Sequence, residues 1–185
     1  MFSKRKFMLG FASLAVMPSS LVHAHTQPFK VDPKFEPQLV SFSGYAPGTV
    51  IVDPRNHFLY LQMGDGMARR YGVGVGKAGL TFKGTANIAR KAKWPSWTPT
   101  DNMIRRQPDK YAKYAGGVAG GPGNPLGSRA LYLYRNGRDT YYRIHGTTQP
   151  SSIGRSVSNG CIRMINAHVE DLYERVPVGA QVVVL

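Results

Sequence analysis

The sequence contains one cysteine, Cys161, and a histidine, His145, upstream of it in the same region. A thiol becomes a nucleophile when an imidazole accepts its proton and nearby N–H groups stabilise the developing charge. His-Gly-Thr occupies residues 145–147, and Ser-Asn-Gly-Cys-Ile-Arg-Met occupies residues 158–164. Together the two segments could supply a nucleophile, a general base and a turn of small residues whose N–H groups face an oxyanion.

Each of these residues also has a structural interpretation. An isolated cysteine is often a buried small hydrophobic residue, and His145 could be held by a structural hydrogen bond. Arg163 could bind a substrate carboxylate, or it could be a surface residue ahead of a helix. Gly160 would let the backbone approach a substrate carbonyl closely, because it has no Cβ. Spacing alone leaves these alternatives open.

The N-terminal residues have the composition of a secretory signal peptide. A basic segment at residues 4–6 precedes an apolar run at residues 7–17, and Val-His-Ala at residues 22–24 resembles a cleavage site. We predict a signal peptide over residues 1–24, export to the periplasm or cell envelope, and no stable membrane span after cleavage. An uncleaved anchor is the alternative. An oxidising compartment normally pairs thiols, but Cys161 is the one cysteine of the sequence and has no intramolecular disulfide partner.

The chain is basic, with 24 Lys and Arg residues against 10 Asp and Glu residues and a net charge of +14. In an exported protein this balance suits an anionic partner, such as a cell-wall polymer, a carboxylate-rich peptide or a lipid headgroup layer. Nucleic acid is disfavoured, because the basic residues are spread along the chain and do not gather on one recognition helix. A basic surface that only keeps the protein soluble is the alternative.

The predicted elements place the candidate residues in one β-rich domain. A proline-rich, extended lead-in over residues 25–47 precedes a domain over residues 48–185. Runs of β-branched and aromatic residues separated by turn residues predict a three-stranded meander between residues 49 and 75. Asn-Gly at residues 136–137 predicts a type I′ hairpin whose second strand leads to His145.

Helical patterns are few. Residues 103–106 predict a short helix, and a second helix follows Cys161, with Asn166 as its N-cap and Pro177 at its end. Residues 181–185 predict a buried closing strand.

Two segments could border a cleft. Residues 115–127 form a glycine-rich loop of the kind that serves as a lid or a cleft wall. Trp94 and Trp97, beside Lys and Arg residues, could line a substrate groove by stacking, or they could plug the side of a small core. The sequence does not decide between these two roles.

The paired motifs resemble the active-site signature of the L,D-transpeptidases with a YkuD-type catalytic domain. In that family the histidine of His-Gly-Thr is followed by Ser/Thr-His-Gly-Cys, and residues 93–100 and 120–127 also resemble family segments. The resemblance covers about residues 48–185. It implies a mostly β (β-rich α+β) fold, with a YkuD-like β-sandwich or barrel of mixed sheets and one short helix after the cysteine. One departure is Asn159, where the commonest form of the motif has histidine.

The resemblance also implies a reaction. Cys161 would attack the carbonyl between the L-centre of meso-diaminopimelate and the terminal D-Ala of a peptidoglycan tetrapeptide stem. His145, oriented by the carbonyl of Gly146, would act as general base, and transfer of the thioester to a second stem would form a 3→3 cross-link. With water as acceptor the chain would be an L,D-carboxypeptidase, and with a protein lysine it would attach a protein to the wall. A non-catalytic wall-binding module is the remaining alternative.

The same resemblance assigns substrate contacts. The N–H groups of Gly160 and Cys161 would face the oxyanion, and Arg163 would hold a stem carboxylate. The candidate substrate-binding residues are Ser158, Asn159, Gly160, Arg163, Trp94 and Trp97. No metal or other cofactor is implied, and the histidines lack metal-ligand spacing. The partners expected are stem peptides and no nucleic acid, whereas the oligomeric state is left undetermined.

Overall fold

The computed structural model describes residues 29–185, so the predicted signal peptide lies outside the described residues. This part of the chain contains eleven strands and three α-helices. The strands are β1 (Gln38–Ser41), β2 (Val50–Asp53), β3 (Phe58–Gly64), β4 (Met67–Gly72), β5 (Val75–Gly76), β6 (Gly84–Lys93), β7 (Arg129–Arg135), β8 (Arg138–His145), β9 (Ser156–Ser158), β10 (Ile162–Arg163) and β11 (Gln181–Val184). The helices are α1 (Asp101–Arg106), α2 (Pro108–Tyr111) and α3 (Asn166–Arg175).

Nine strands form one mixed sheet in the order β1-β4-β3-β2-β11-β6-β7-β8-β10. In this sheet β11 pairs in parallel with β2 and β10 pairs in parallel with β8, whereas the other neighbouring strands are antiparallel. β5 and β9 form a second, parallel sheet of two strands. The prediction of a mostly β fold with mixed sheets is confirmed, and α3 is the helix predicted after the cysteine.

Both predicted hairpins are present. β2, β3 and β4 pair antiparallel in sequence order, as the meander requires. At the second hairpin, Asn136 has φ 51° and Gly137 has φ 73°, and two successive positive φ angles are the geometry of a type I′ turn. This turn brings β8 back along β7, so that His145 pairs with Ala130 at the far end of the hairpin.

The central strand β6 was not predicted from the sequence. It is rich in Ala and Lys, which are uncommon in strands, yet it lies between β11 and β7. Ala86 and Ile88 are buried on one face of β6, and the guanidinium of Arg90 lies 3.4 Å from the ring centroid of Tyr132 on β7. Pairing on both edges and packing of the long side chains therefore outweigh the weak local preference.

The lead-in belongs to the sheet instead of only crossing the surface. Its strand β1 pairs antiparallel with β4, and Phe35 packs against the backbone of Gly72. A Cβ atom at Gly72 would lie 2.3 Å from the Cβ of Phe35, so this approach needs glycine. Glu36 accepts a hydrogen bond from buried His168 of α3 at 3.1 Å. Residues 29–47 therefore fold with the domain.

The hydrophobic core lies against the large sheet and is closed by α3, which packs on β7 and β8. Val169 and Leu172 on one face of α3 are fully buried in it. The largest other core side chains are Tyr71, Leu59, Ile88, Leu131, Leu133, Ile144, Ile162 and Met164. Within residues 29–185 no helix is both long and apolar enough to cross a membrane. The core thus supports β7, β8 and β10, the strands that border His145 and Cys161.

Candidate active site

The sheet brings the two sequence motifs together. His145 is the last residue of β8, and Cys161 directly precedes β10. Because β10 pairs in parallel with β8, Ile162 lies beside Ile144 and Arg163 lies beside His145. Cys161, which directly precedes Ile162, therefore lies near Arg143, two residues before His145 on β8.

His145 and Cys161 line the same cavity, which has a volume of about 480 Å³. A second cavity, of about 710 Å³, also reaches Cys161. Met103, Tyr111 and Asn159 line both cavities. Residues 98–117, which contain α1 and α2, contribute much of the wall of both, and we call this segment the lid. Cys161 thus lies where two cavities meet under the lid.

The tautomer of His145 is fixed by the hydrogen bond that its Nδ1 atom makes. Nδ1 lies 2.6 Å from the carbonyl oxygen of Gly146, and a carbonyl can only accept, so Nδ1 carries the proton. Nε2 is then an acceptor. The side chain is 4% exposed, and this burial lowers the pKa of His145 to about 4, although the Gly146 carbonyl acts in the opposite direction. At neutral pH the imidazole is uncharged and can accept a proton through Nε2.

Cys161 is half-buried and is not part of the hydrophobic core. Its thiol donates to the carbonyl oxygen of Tyr141 at 3.8 Å. Desolvation raises the pKa of the Cys161 thiol above its ordinary value, while the backbone N–H of Arg143 and the charges of Arg143 and Arg163 act in the opposite direction. The resting thiol is therefore protonated at neutral pH, and it needs a base such as His145 to become a nucleophile.

A bulge in β8 aims the Tyr141 carbonyl at the thiol. Tyr141 has φ 61°, an uncommon value for a residue with a large side chain. Asp139 Oδ1 accepts the Tyr141 N–H at 2.8 Å, and Thr140 Oγ1 donates to the Leu133 carbonyl at 2.6 Å. This bulge was not predicted from the sequence. Asp139 two residues before Tyr141 is the signal that could have indicated it, because Asp side chains often hold the N–H two positions later.

The turn before Cys161 uses its polar groups internally. The hydroxyl of Ser158 donates to the Cys161 carbonyl at 2.7 Å and accepts the Gly160 N–H at 3.1 Å. Gly160 has φ 125°, and a Cβ there would lie 2.5 Å from Cε1 of Tyr142. The Gly160 N–H is therefore not free for the oxyanion, and Ser158 supports the turn instead of presenting its hydroxyl to a substrate. For the N–H of Cys161 no acceptor is found within residues 29–185. Of the two N–H groups expected to face the oxyanion, only that of Cys161 is therefore available.

Asn159 and Arg163 both point into cavities. The Asn159 side-chain amide donates to the hydroxyl of Tyr111 on α2 at 2.9 Å. Arg163 lines the first cavity and donates to Gln149 Oε1 at 3.2 Å, so it is not a free surface arginine. Its guanidinium lies on the same wall as Cys161 and could meet a substrate carboxylate.

The two tryptophans have different locations. Trp97 lines the first cavity, and its ring centroid lies 6.3 Å from that of Tyr111 and 5.9 Å from that of Tyr114. Trp94 is 47% exposed and lines neither cavity. Neither residue belongs to the hydrophobic core cluster. The geometry supports a substrate-groove role for Trp97 and does not support one for Trp94.

The prediction that Asn166 is the N-cap of α3 is wrong. The N-cap of α3 is Ile165, and no side chain caps the helix. Instead, Asn166 Oδ1 accepts the N–H of Thr147 at 3.0 Å and the N–H of Ser128 at 3.3 Å. Thr147 directly follows Gly146, and the nitrogen of Ser128 lies close to Gly146. Asn166 therefore fixes the loop whose carbonyl holds His145.

Comparisons with known proteins agree with this geometry. A family model described as the L,D-transpeptidase catalytic domain (YkuD) matches residues 47–184. A Fuscovulum blasticum protein named as an L,D-transpeptidase is 41% identical over 106 residues, which are 57% of this chain and 51% of that protein. The chain spans between about a third and a half of the length of the first curated relatives that it matches.

Solved structures give the same fold. L,D-transpeptidase 3 from Mycobacterium tuberculosis superposes with a TM-score of 0.55 at 16% identity, over 74% of this chain and 60% of that chain. A Brucella melitensis protein named as a carnitine operon oxidoreductase superposes with a TM-score of 0.58 at 58% identity, over 84% of this chain and 96% of that chain. Its name differs from that of the family, whereas the family match includes both the His145 and the Cys161 motif. The chain therefore belongs to the L,D-transpeptidase family with a YkuD-type catalytic domain.

Proposed function

We propose that this chain is an exported cysteine L,D-transpeptidase that acts on peptidoglycan tetrapeptide stems through a thioester on Cys161. One observation carries the proposal: the neutral imidazole of His145, with Nδ1–H held by Gly146, lines the same cavity as the single cysteine. In this arrangement Nε2 is the one ring nitrogen that can accept the thiol proton. The cavity therefore contains a protonated thiol and a neutral imidazole that can accept its proton.

The first half-reaction forms the acyl-enzyme. Sγ of Cys161 attacks the carbonyl carbon that precedes the terminal D-Ala, while Nε2 of His145 takes the thiol proton. The N–H of Cys161 faces the oxyanion of the tetrahedral intermediate. When the carbon–nitrogen bond breaks, the imidazolium of His145 returns the proton to the departing D-Ala amine. The product is a thioester and a neutral His145.

The second half-reaction transfers the acyl group. The side-chain amine of a second stem attacks the thioester carbon, and His145 accepts a proton from that amine. The carbon–sulfur bond breaks, and the sulfur of Cys161 regains a proton from the imidazolium. The new amide is a 3→3 cross-link, and the enzyme returns to its starting state.

The charge of the cavities supports a substrate rich in carboxylates. The lining of the first cavity includes three cations and no carboxylate, and that of the second includes three cations and one carboxylate. The cations are Lys110, Lys113 and Arg163 in the first cavity and Lys77, Arg105 and Arg106 in the second. Stem peptides carry several carboxylates, which such walls attract. The aromatic wall of Trp97, Tyr111 and Tyr114 adds apolar contact.

A product assay tests the proposal. Incubation of the protein lacking residues 1–24 with a disaccharide tetrapeptide should give a cross-linked dimer that has lost one D-Ala, as measured by mass spectrometry. Matched Cys161→Ala and His145→Gln variants should give none. A tripeptide as the only product would identify an L,D-carboxypeptidase, and transfer to an added lysine-bearing wall protein alone would identify a protein-attaching enzyme. The absence of every product, or equal product from Cys161→Ala, would refute the proposal.

A second measurement tests the nucleophile without the natural substrate. A carbapenem should acylate the protein once, because its strained carbonyl can occupy the place of the stem carbonyl. Intact-mass spectrometry should show one adduct on the wild type and none on Cys161→Ala. Export is tested separately, by N-terminal sequencing of the full chain after expression and recovery from the cell envelope.

A further inference from the structure

The lid is attached to the domain mainly at its base. Trp97 and Val118 exchange two backbone hydrogen bonds, of 2.9 and 2.7 Å, where the lid leaves and rejoins the domain. Thr100 caps α1 through Met103, which is a bond inside the lid. Between these ends, residues 98–117 form two short helices and a 3₁₀ turn. A segment held in this way can move about its base unless a further contact ties it to the domain.

One side-chain contact ties the lid to the turn before Cys161. Within residues 29–185, the bond from Asn159 to Tyr111 is the only side-chain hydrogen bond between the lid and the rest of the chain, and no ion pair joins them. Tyr111 is 8% exposed, and its ring packs against Trp97. The hydroxyl of Tyr111 therefore projects from a packed ring toward Asn159, two residues before Cys161.

The position of this contact relates it to the chemistry. Tyr111 and Asn159 both line the two cavities, and Cys161 lies where these cavities meet. A lid held by this bond encloses an acyl group on Cys161, whereas a released lid would admit bulk water to the thioester. Enclosure of this kind protects reactive intermediates from hydrolysis.

We propose that Asn159 and Tyr111 form a latch that holds the lid over the acylated Cys161 and thereby favours transfer to an amine over hydrolysis. This inference rests on the proposed function. The reaction that the latch opposes is attack of water on the thioester, in which a carbon–oxygen bond forms and the carbon–sulfur bond breaks. The proton from water passes through His145 to the sulfur, so the products are a free carboxylic acid and the thiol. Asn159 is accordingly a positioning residue, and it takes no proton in the reaction.

The size of the effect follows from the type of bond. A hydrogen bond between two neutral groups shifts an equilibrium by about fivefold. Loss of either partner should therefore raise the open fraction of the lid, and with it the share of hydrolysed product, by about fivefold. Because both groups act through one bond, loss of the second partner should add nothing.

A double-mutant cycle tests the latch. The variants are Asn159→Ala, Tyr111→Phe and their combination, and the first readout is amide hydrogen exchange of residues 98–117, which does not depend on turnover. Exchange should be about fivefold faster in each single variant than in the wild type, and the double variant should exchange no faster than the single variants. The matched control is Tyr114→Phe, a lid tyrosine whose hydroxyl makes no hydrogen bond within residues 29–185. Its effect should simply add to that of Asn159→Ala. Unchanged lid exchange in the single variants, or additive effects in the double variant, would overturn the latch.

The second readout is the ratio of tripeptide to cross-linked dimer from the disaccharide tetrapeptide. This ratio should rise about fivefold in each single variant and stay at that value in the double variant. An unchanged ratio would overturn the role of the latch in excluding water. If the wild type gives neither product, the proposed function fails, whereas the exchange measurement still decides whether the latch exists.

Discussion

The protonation state of the Cys161 and His145 pair gives the sharpest prediction. Burial raises the pKa of the Cys161 thiol above its ordinary value and lowers the pKa of the His145 imidazole to about 4. A thiolate–imidazolium pair needs the opposite order, with the thiol more acidic than the imidazolium. We therefore expect a neutral thiol beside a neutral imidazole at rest, with proton transfer during the attack.

The expected magnitude follows from these directions. A thiol that titrates above its ordinary range, near 8.5 to 9, is ionised to less than about 3% at pH 7. Alkylation of the thiol should accelerate by about tenfold for each pH unit between 6 and 8, since the thiolate is the reacting form. A pre-formed ion pair would instead react at a constant rate from about pH 5 upward.

The assay uses the single cysteine of the chain. Iodoacetamide is added between pH 5 and 10, and intact mass is followed with time, with Cys161→Ala as the blank. Arg163→Gln removes a cation that lowers the thiol pKa, so its curve should move to higher pH. His145→Gln should keep a single inflection, because the histidine does not titrate in this range. An alkylation rate that inflects below pH 6 and is constant between pH 6 and 8 would refute the assignment.

Three further predictions concern stability and binding. Because the folded-state pKa of His145, about 4, lies below its unfolded value near 6.5, stability present above pH 6.5 should be lost as the pH falls toward 4. Chemical denaturation at pH 7 and pH 4 should show that the free energy of unfolding falls by about 3 kcal/mol more in the wild type than in His145→Gln. Equal decreases in the two proteins would contradict the burial of a neutral imidazole. Asn166→Ala leaves two backbone N–H groups without an acceptor, so it should lower the free energy of unfolding by about 2 kcal/mol and slow carbapenem acylation. An unchanged acylation rate would show that the loop does not orient the base. Trp97→Ala should raise the KM for the stem peptide by about tenfold. Trp94→Ala should raise it less, because only Trp97 lines the cavity. Equal effects in steady-state kinetics would contradict that assignment.

Local signals in the sequence predicted much of the fold. The Asn-Gly turn at residues 136–137, the β-branched run that became β2 and the aromatic and aliphatic run that became β3 depend on interactions among neighbouring residues, and all are present as expected. The paired motifs around His145 and Cys161 also indicated the family correctly. Strand β6 was missed, because its Ala and Lys residues adopt a strand only where strands on both sides pair with it.

The sequence by itself determined the candidate nucleophile and base: a single cysteine after a small-residue turn, and a histidine that begins a His-Gly-Thr motif. Only the tertiary structure decided how those residues are supported. Burial sets the protonation of His145, Asn166 binds the loop around Gly146 instead of capping its helix, and Asn159 reaches Tyr111 on the lid. Each of these effects joins groups far apart in the chain or depends on removal of water by the folded domain. Local sequence patterns do not predict contacts between such distant residues, nor do they predict the local dielectric.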